Sequence, residues 1–425
     1  MKEEMKEIEK YFLRVRGNKI KDSPKIFKKA YEFIEPEIAR YFEYYPYFRE
    51  IESAQDSVVE VGNKKIYMFG SNSYLGLTNH PKIKEAAKKA IEKYGTGCVG
   101  SRFLNGNLKI HRELEEKLAE FVGKEEALVF STGFLANSGV ISSLVKRGEY
   151  LILDKKDHAS IYEGSRVVKA NGGEVIRFEH NSPSSLEEII KNIMKKDEDS
   201  SALVVIEGVY SMEGDIANLP KILEVCKKYK VGLMLDDAHG IGVLGKEGKG
   251  TADYFNLTNE VDIIMGTFSK SFASQGGFVA SSHEIIDYLK HLSTSSIFTA
   301  ALSPSNTATV IAALDLIKEE PYRIEMLWEN TKRMKEGLKN LHLDTGKSET
   351  PIIPLYVKDM KKTFLLCKKL FEENIFVNPV ISPAVRIGEE MIRISMMATH
   401  TKEQIDFVLE KIDKISKELD VPRLK

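Results

Sequence analysis

Between residues 128 and 280, short apolar runs alternate with stretches of helical periodicity, and this alternation restricts the chain to one kind of architecture. Leu128-Val129-Phe130, Tyr150-Leu151-Ile152-Leu153, Ala202-Leu203-Val204-Val205-Ile206, Leu233-Met234-Leu235 and Ile263-Ile264-Met265 read as buried strands. Separated by helix-length segments, they predict a mostly parallel sheet covered by helices. Ahead of them, Val58, Val59, Val61, Ile66, Met68 and Phe69 surround the turn signal Gly62-Asn63 and suggest a hairpin. Helical patterns follow over Ile83 to Tyr94 and His111 to Phe121. Beyond residue 300 comes a long helical stretch, then a smaller α/β unit closed by a helix through Ile405, Val408, Ile412 and Ile415. The expected division is a helical arm (1–56), a large domain (57–300) and a small C-terminal α/β domain (301–425).

Two of the strands end in groups that carry chemistry. Leu233-Met234-Leu235 runs into Asp236-Asp237-Ala238-His239, and open α/β sheets bind ligands at the carboxyl ends of their strands. An aspartate facing a pyridine nitrogen keeps it protonated and makes the ring an electron sink. A histidine three residues on can reach a phenolic oxygen of the same ring. Taken alone, the two carboxylates would serve equally well to cap a turn. Ile263-Ile264-Met265 leads into Gly266-Thr267-Phe268-Ser269-Lys270, ahead of Gly276-Gly277. A lysine between small hydroxyl residues can meet an aldehyde and a phosphate together, and lysine amines form Schiff bases when their pKa is depressed.

An anion site is legible at Ser131-Thr132-Gly133-Phe134, where a strand gives way to the helical pattern of Ala136, Val140, Ile141 and Leu144. Ser131 or Thr132 can also act simply as an N-cap. Asp157-His158-Ala159-Ser160 follows another strand, which puts His158 where it can stack on a flat ring. Gly240-Ile241-Gly242-Val243-Leu244-Gly245 formally matches a dinucleotide fingerprint. That reading fails, because Lys246-Glu247-Gly248-Lys249-Gly250 continues as loop where the motif requires a helix.

In this order and spacing, the residues resemble the α-oxoamine synthase family of fold-type I pyridoxal phosphate enzymes. The matching blocks are Ser71–Leu77, Gly95–Arg102, Ser131–Phe134, Asp157–Ser160, Asp236–Gly240, Thr267–Lys270 and Ile392–Ser395, and they cover roughly residues 45 to 420. The resemblance implies a mostly parallel central sheet covered by helices, a smaller C-terminal α/β domain, pyridoxal 5'-phosphate as cofactor, and a homodimer. It makes Lys270 the lysine that carries the cofactor and moves the Cα proton, Asp236 the pyridinium partner, His239 the group at the phenolic oxygen, and His158 the stacking ring. Ser131, Thr132, Gly133, Phe134, Thr267 and Ser269 fall at the phosphate, Ser211 falls near the cofactor, and Thr299 and Ala300 of the neighbouring subunit complete the phosphate site. Asn72 and Arg393 fall at the amino-acid carboxylate, a task suited to the planar guanidinium fork.

The implied reaction is a decarboxylating condensation of an amino acid with an acyl thioester, carried on CoA or on acyl carrier protein. Gly100–Leu108, Thr267–Gly277 and Asn378–Val385 most resemble the bacterial members that join L-serine to palmitoyl-CoA to give 3-ketosphinganine. Some of those carry a second carboxylate-binding arginine twelve residues before the position of Arg393. Here that position is Ile381, and Arg386 is the nearest arginine. Glycine with an acetyl thioester and alanine with a pimeloyl thioester are the rival pairs. An aminotransferase and a catalytically silent partner subunit share the fold. The Gly95–Arg102 block and Arg393 favour the synthase over the former, and Lys270, Asp236 and His239 argue against the latter.

Composition adds exclusions. A net charge of −1 gives no support for a nucleic-acid partner. Cys98, Cys226 and Cys367 cannot form a disulfide framework, and the nine histidines show no metal-ligand spacing, so no metal site is expected. Met1 to Lys10 is charged and unlike a signal peptide, and Thr307 to Ile317 is too short to span a bilayer, which predicts a cytoplasmic protein. The arm ends in the aromatic-rich Tyr41–Phe48, suited to packing across a dimer or to peripheral contact with a membrane surface.

Overall fold

The computed structural model describes residues 2–424. Four helices, Lys2–Val15, Gly17–Asp22, Lys25–Glu32 and Glu35–Tyr41, make the N-terminal arm, and the last three bury none of their side chains. The hairpin follows as β1 (Val58–Val61) and β2 (Lys64–Met68). Gly62 and Asn63 both take left-handed backbone, with φ of 55° and 62°. Two-residue hairpin connections favour that geometry because its twist matches the strands.

The central sheet has seven strands: β3 (Glu126–Phe130), β4 (Tyr150–Asp154), β5 (Glu174–Phe178), β6 (Ala202–Glu207), β7 (Gly232–Asp236), β8 (Ile263–Thr267) and β9 (Gly277–Ser281). Their order is β3-β9-β8-β7-β6-β4-β5, and β9 alone runs against its neighbours. Side chains alternate between two cores, as the strand period of two requires. Val204, Ile206, Leu233, Leu235 and Ile264 face helices Pro183–Lys196 and Leu219–Lys228. Leu203, Val205, Met234, Ile263 and Met265 face helices Gly133–Leu144 and Ala159–Ala170. Burial on both faces is why the runs carry no polar alternation. Each such side chain contributes about 1.5–3 kcal/mol by leaving water, and Val205→Asp would put an unpaired charge into a dry layer.

Parallel strands share one carboxyl edge. Phe130, Asp154, Glu207, Asp236 and Thr267 therefore all end on the same side of the sheet, where the site lies.

The C-terminal unit contains β10 (Ile352–Tyr356), β11 (Ile375–Phe376), β12 (Asn378–Val380) and β13 (Met391–Ser395). β10, β13 and β12 form an antiparallel sheet, while β11 pairs in parallel with β2. The hairpin expected with the large domain is thus hydrogen-bonded to the C-terminal unit. Conversely, helix Pro304–Glu319, expected in the small domain, packs on helices Pro81–Tyr94 and Lys109–Val122. Local periodicity marks an element but not its hydrogen-bonding partner, which is why boundaries at 57 and 301 do not match the packing. Among the described residues no helix is long and apolar enough to cross a membrane.

Candidate active site

A cavity of about 340 Å³ opens at the carboxyl edge of the sheet. Of the residues singled out in the sequence, Thr132, Gly133, Phe134, His158, Asp236, His239, Thr267, Ser269 and Lys270 line it. Asn137, Ser160, Glu207 and Gln275 line it too, and sequence reasoning missed all four.

Asp236 is 4% exposed and held from two directions. Asn137 Nδ2 donates to its Oδ2 at 2.6 Å, and the Ala238 N–H donates to its Oδ1 at 3.0 Å. The same Asn137 amide donates to Ser160 Oγ at 2.9 Å, and Ser160 Oγ lies 2.8 Å from His158 Nδ1. The Ser160 N–H also donates to Nδ1, so the ring proton sits on Nε2. His158 caps helix Ala159–Ala170 through this bond. One buried amide therefore fixes both Asp236 and the ring of His158. Burial and the Lys270 charge hold the His158 pKa below its usual value, against the opposing pull of Asp236.

Asp237 points the other way. It is fully buried and accepts from Thr251 N and Thr251 Oγ1, both at 2.6 Å. Burial raises its carboxyl to about 7. Adjacent strand-end residues face opposite sides, so only one of the two carboxylates reaches the cavity.

His239 Nδ1 lies 2.7 Å from the Tyr74 hydroxyl. Burial raises the Tyr74 pKa and keeps that hydroxyl protonated, able to donate to Nδ1 in the tautomer that carries the His239 proton on Nε2. Burial and the charges of Lys270 and Arg393 push the His239 pKa well down, which keeps the ring neutral. Lys270 reaches a cavity connected to solvent but is closely surrounded by protein. Burial, opposed by Asp236 and Glu207, brings its amine down to about 8.

The opposite end of the cavity suits an anion. Thr132 Oγ1 accepts from the Leu135 N–H and starts helix Gly133–Leu144, whose first N–H groups and dipole face the cavity end. Thr267 Oγ1 lies 3.0 Å from Ser269 Oγ. Glycine is required here: a Cβ on Gly133 would come within 2.8 Å of Thr267 Oγ1 and occupy the cradle.

Arg393 lies outside this cavity and is 5% exposed. Its Nε donates to Ser211 O at 2.7 Å, and its Nη1 donates to Asn72 Oδ1 at 3.0 Å and Ser395 Oγ at 2.6 Å. These anchors orient the guanidinium, which the buried Tyr74 hydroxyl also approaches. Asn72 thus acts on Arg393, and Ser211 contributes its carbonyl. A second cavity, of about 620 Å³, shares His158 with the first and is lined by Ser211, Met212 and Arg386. Ser131 donates to Ala300 O at 2.5 Å, and Thr299 lies beside it in a small cleft with Arg102. The structure therefore keeps Ser131, Thr299 and Ala300 out of the cofactor-sized cavity of their own chain. Among the described residues, no cluster of three or more His, Cys, Asp or Glu side chains could hold a metal ion.

A family model for aminotransferase class I and II matches residues 64–412. The serine palmitoyltransferase of Bacteroides ovatus is 50% identical over 377 residues, which is 89% of this chain and 94% of that protein. The chain belongs to that family, in its α-oxoamine synthase branch. Another branch member, the 8-amino-7-oxononanoate synthase of Thermoanaerobacter pseudethanolicus, is 41% identical to this α-oxoamine synthase over 372 residues, or 88% of this chain and 92% of the other. Among solved structures, serine palmitoyltransferase from S. paucimobilis with a bound PLP–myriocin aldimine matches with a TM-score of 0.86 at 33% identity, covering 92% of this chain and 98% of that one. The fold is that of the fold-type I transferases.

Proposed function

We propose that this α-oxoamine synthase condenses L-serine with palmitoyl-CoA, with loss of carbon dioxide, to give 3-ketosphinganine. The observation that carries the reading is the convergence of Lys270, Asp236 and the Thr132–Phe134 cradle on one cavity. It is supported by 50% identity to a curated serine palmitoyltransferase. The residues fit pyridoxal 5'-phosphate: a helix start for the phosphate, a clamped carboxylate for the pyridine nitrogen, and a lysine amine brought down to about 8. When bound, the cofactor supplies an electron-withdrawing ring that stabilises negative charge at Cα.

The chain's own groups perform the rest. Thr132 to Phe134, with Thr267 and Ser269, hold the phosphate. Asp236, oriented by Asn137, holds the proton of the pyridine nitrogen. Arg393, oriented by Asn72, Ser211 and Ser395, is the cation that would meet the serine carboxylate. Lys270 takes the Cα proton and later returns one. Between those events Cα bonds to the thioester carbonyl carbon, and the thiolate leaves and takes a proton from solvent. The carboxylate departs as carbon dioxide, leaving at Cα the electron pair that the returned proton then meets. Holding each breaking bond perpendicular to the ring is a matter of positioning, which the His158–Ser160–Asn137 chain supplies.

The active form is a cytoplasmic homodimer in which Thr299 and Ala300 of one subunit complete the phosphate site of the other. Their place outside their own cavity supports this. The arm carries seven cations between residues 14 and 29 against the single carboxylate Asp22, with Ile26 and Phe27 exposed, which suits peripheral contact with an anionic membrane. The test is a matrix of glycine, alanine and serine against acetyl, pimeloyl and palmitoyl thioesters, on CoA and on acyl carrier protein, scored by thiol release. Serine with palmitoyl-CoA should be fastest. Preference for alanine with the pimeloyl thioester, or for glycine with the acetyl thioester, overturns the substrate assignment.

A further inference from the structure

Glu207 takes no part in the steps above, yet it lies among the groups that perform them. It ends β6 in register with Asp236 at the end of β7, and it lines the same cavity at 2% exposure. Its Oε1 is sealed from solvent and has no hydrogen-bond partner among the described residues. The titratable groups around it are Asp236 and Lys270 at neighbouring strand ends, Tyr210 and Glu213 in the segment that follows, and Asp157 after β4. The Ser211 N–H donates to its other carboxyl oxygen and opposes the rise in its pKa. An ionised Glu207 would be a buried charge with an unpaired oxygen beside three other carboxyl groups, and retaining its proton avoids that cost. Burial and the Asp236 charge push its pKa well above the carboxylate range, despite the opposing pull of Lys270.

A neutral carboxyl needs an acceptor for its proton, and pyridoxal 5'-phosphate offers few. The phosphate oxygens fit the cradle at the helix start. Asp236 would accept from a protonated pyridine nitrogen, and Lys270 would meet the aldehyde carbon. On the ring only the phenolic oxygen remains, and its lone pairs accommodate more than the one donor His239 supplies. We infer that Glu207 is a cofactor-binding residue whose protonated carboxyl donates a hydrogen bond to the phenolic oxygen, beside His239. The inference rests on the cofactor assigned above but not on the identity of the amino acid or thioester. The bond draws electron density from the phenolic oxygen and weakens its hold on the proton of the nitrogen joining Lys270 to the cofactor. That nitrogen then loses its proton at lower pH.

The experiment is a pH titration of the visible absorbance of the lysine-bound cofactor, without amino acid, in wild type, Glu207→Gln and Glu207→Leu holoenzymes. Glu207→Leu should raise the midpoint by about one pH unit, the tenfold change expected when a charged oxygen loses one hydrogen bond. Glu207→Gln, whose amide still donates, should stay close to wild type. An ionised Glu207 would instead hold that proton by its charge, so both variants would lower the midpoint, which overturns the inference. An unmoved midpoint in Glu207→Leu overturns it equally. Infrared difference spectra provide a second reading that needs only the glutamine variant to fold. One protonated-carboxyl carbonyl stretch of wild type should be lost in Glu207→Gln while those of Asp157 and Asp237 persist, and a wild-type-minus-variant spectrum with no such loss overturns the inference. Wild type that develops no visible band would overturn the cofactor reading as well, whereas a band that the variants leave unmoved overturns this inference alone.

Discussion

Asp236 and Asp237 are adjacent carboxylates with opposite duties, and replacing each by asparagine separates them. Asp236→Asn removes the charge facing the cavity and turns one acceptor into a donor against either Asn137 or the Ala238 N–H. Deuterium exchange at Cα of serine, followed by NMR, should slow about a thousandfold, in line with the loss of a preorganised electrostatic partner. Asp237→Asn should leave exchange within about fivefold and act on stability instead. It forfeits one of the two bonds from Thr251, at a cost of about 1–3 kcal/mol. It also removes a titration. The folded-state pKa of Asp237, about 7, lies above its unfolded value, so the native state binds the proton more tightly. Its contribution is complete below about pH 4 and is lost as pH rises to 7, at ~1.4 kcal/mol per unit and about 4 kcal/mol in all. Asp157 and Glu207 titrate in the same sense but cancel when wild type and variant are compared. Denaturation midpoints at pH 4.5 and 8 should therefore show wild type losing more stability than Asp237→Asn, with the gap between them narrowing or reversing at pH 8. Two results would refute this reasoning: Asp237→Asn slowing exchange more than Asp236→Asn, or equal pH slopes for wild type and Asp237→Asn.

Lys270→Ala should abolish exchange and remove the visible absorbance, and borohydride should then leave no cofactor on the chain; cofactor trapped on another lysine would contradict the assignment. Asn137→Leu deletes the donor to Asp236 and Ser160, so cofactor affinity by fluorescence should fall ten- to a hundredfold, for about 1.5–3 kcal/mol; wild-type affinity would show that the clamp is idle. Arg393→Lys keeps the charge but loses the fork, and KM for serine should rise about a hundredfold with a smaller effect on kcat; an unchanged KM would place the carboxylate elsewhere. In mixed dimers of Lys270→Ala with Thr299→Tyr subunits, shared sites predict activity that departs from the average of the parents, and strictly additive activity would mean that each subunit works alone.

The strands, and the chemistry at their ends, were legible because both are local. An apolar run that ends in Asp236, or that leads into Lys270, needs no knowledge of distant residues to be recognised. Asn137 and Glu207 gave no such signal. Asn137 lies inside a helix that looks like packing, and Glu207 is simply the last residue of a strand. Tyr74 acquires its role only by meeting His239 across 165 positions, and Asn72 by meeting Arg393 across 321. The same holds for the pairing of β2 with β11, which moved the hairpin to the C-terminal unit.

By itself, the sequence determined that the sheet would be mostly parallel, with buried strands, and that a lysine, two carboxylates and a helix start would lie at strand ends. Those outcomes follow from periodicity and chain direction, which act over a few residues. The tertiary structure alone decided which of the two carboxylates faces the cavity, which glutamate is left there with an unpaired oxygen among the described residues, and what orients Arg393. Each of those depends on burial and on hydrogen bonds between segments far apart in the chain, and a strand fixes only that neighbouring side chains point to opposite sides.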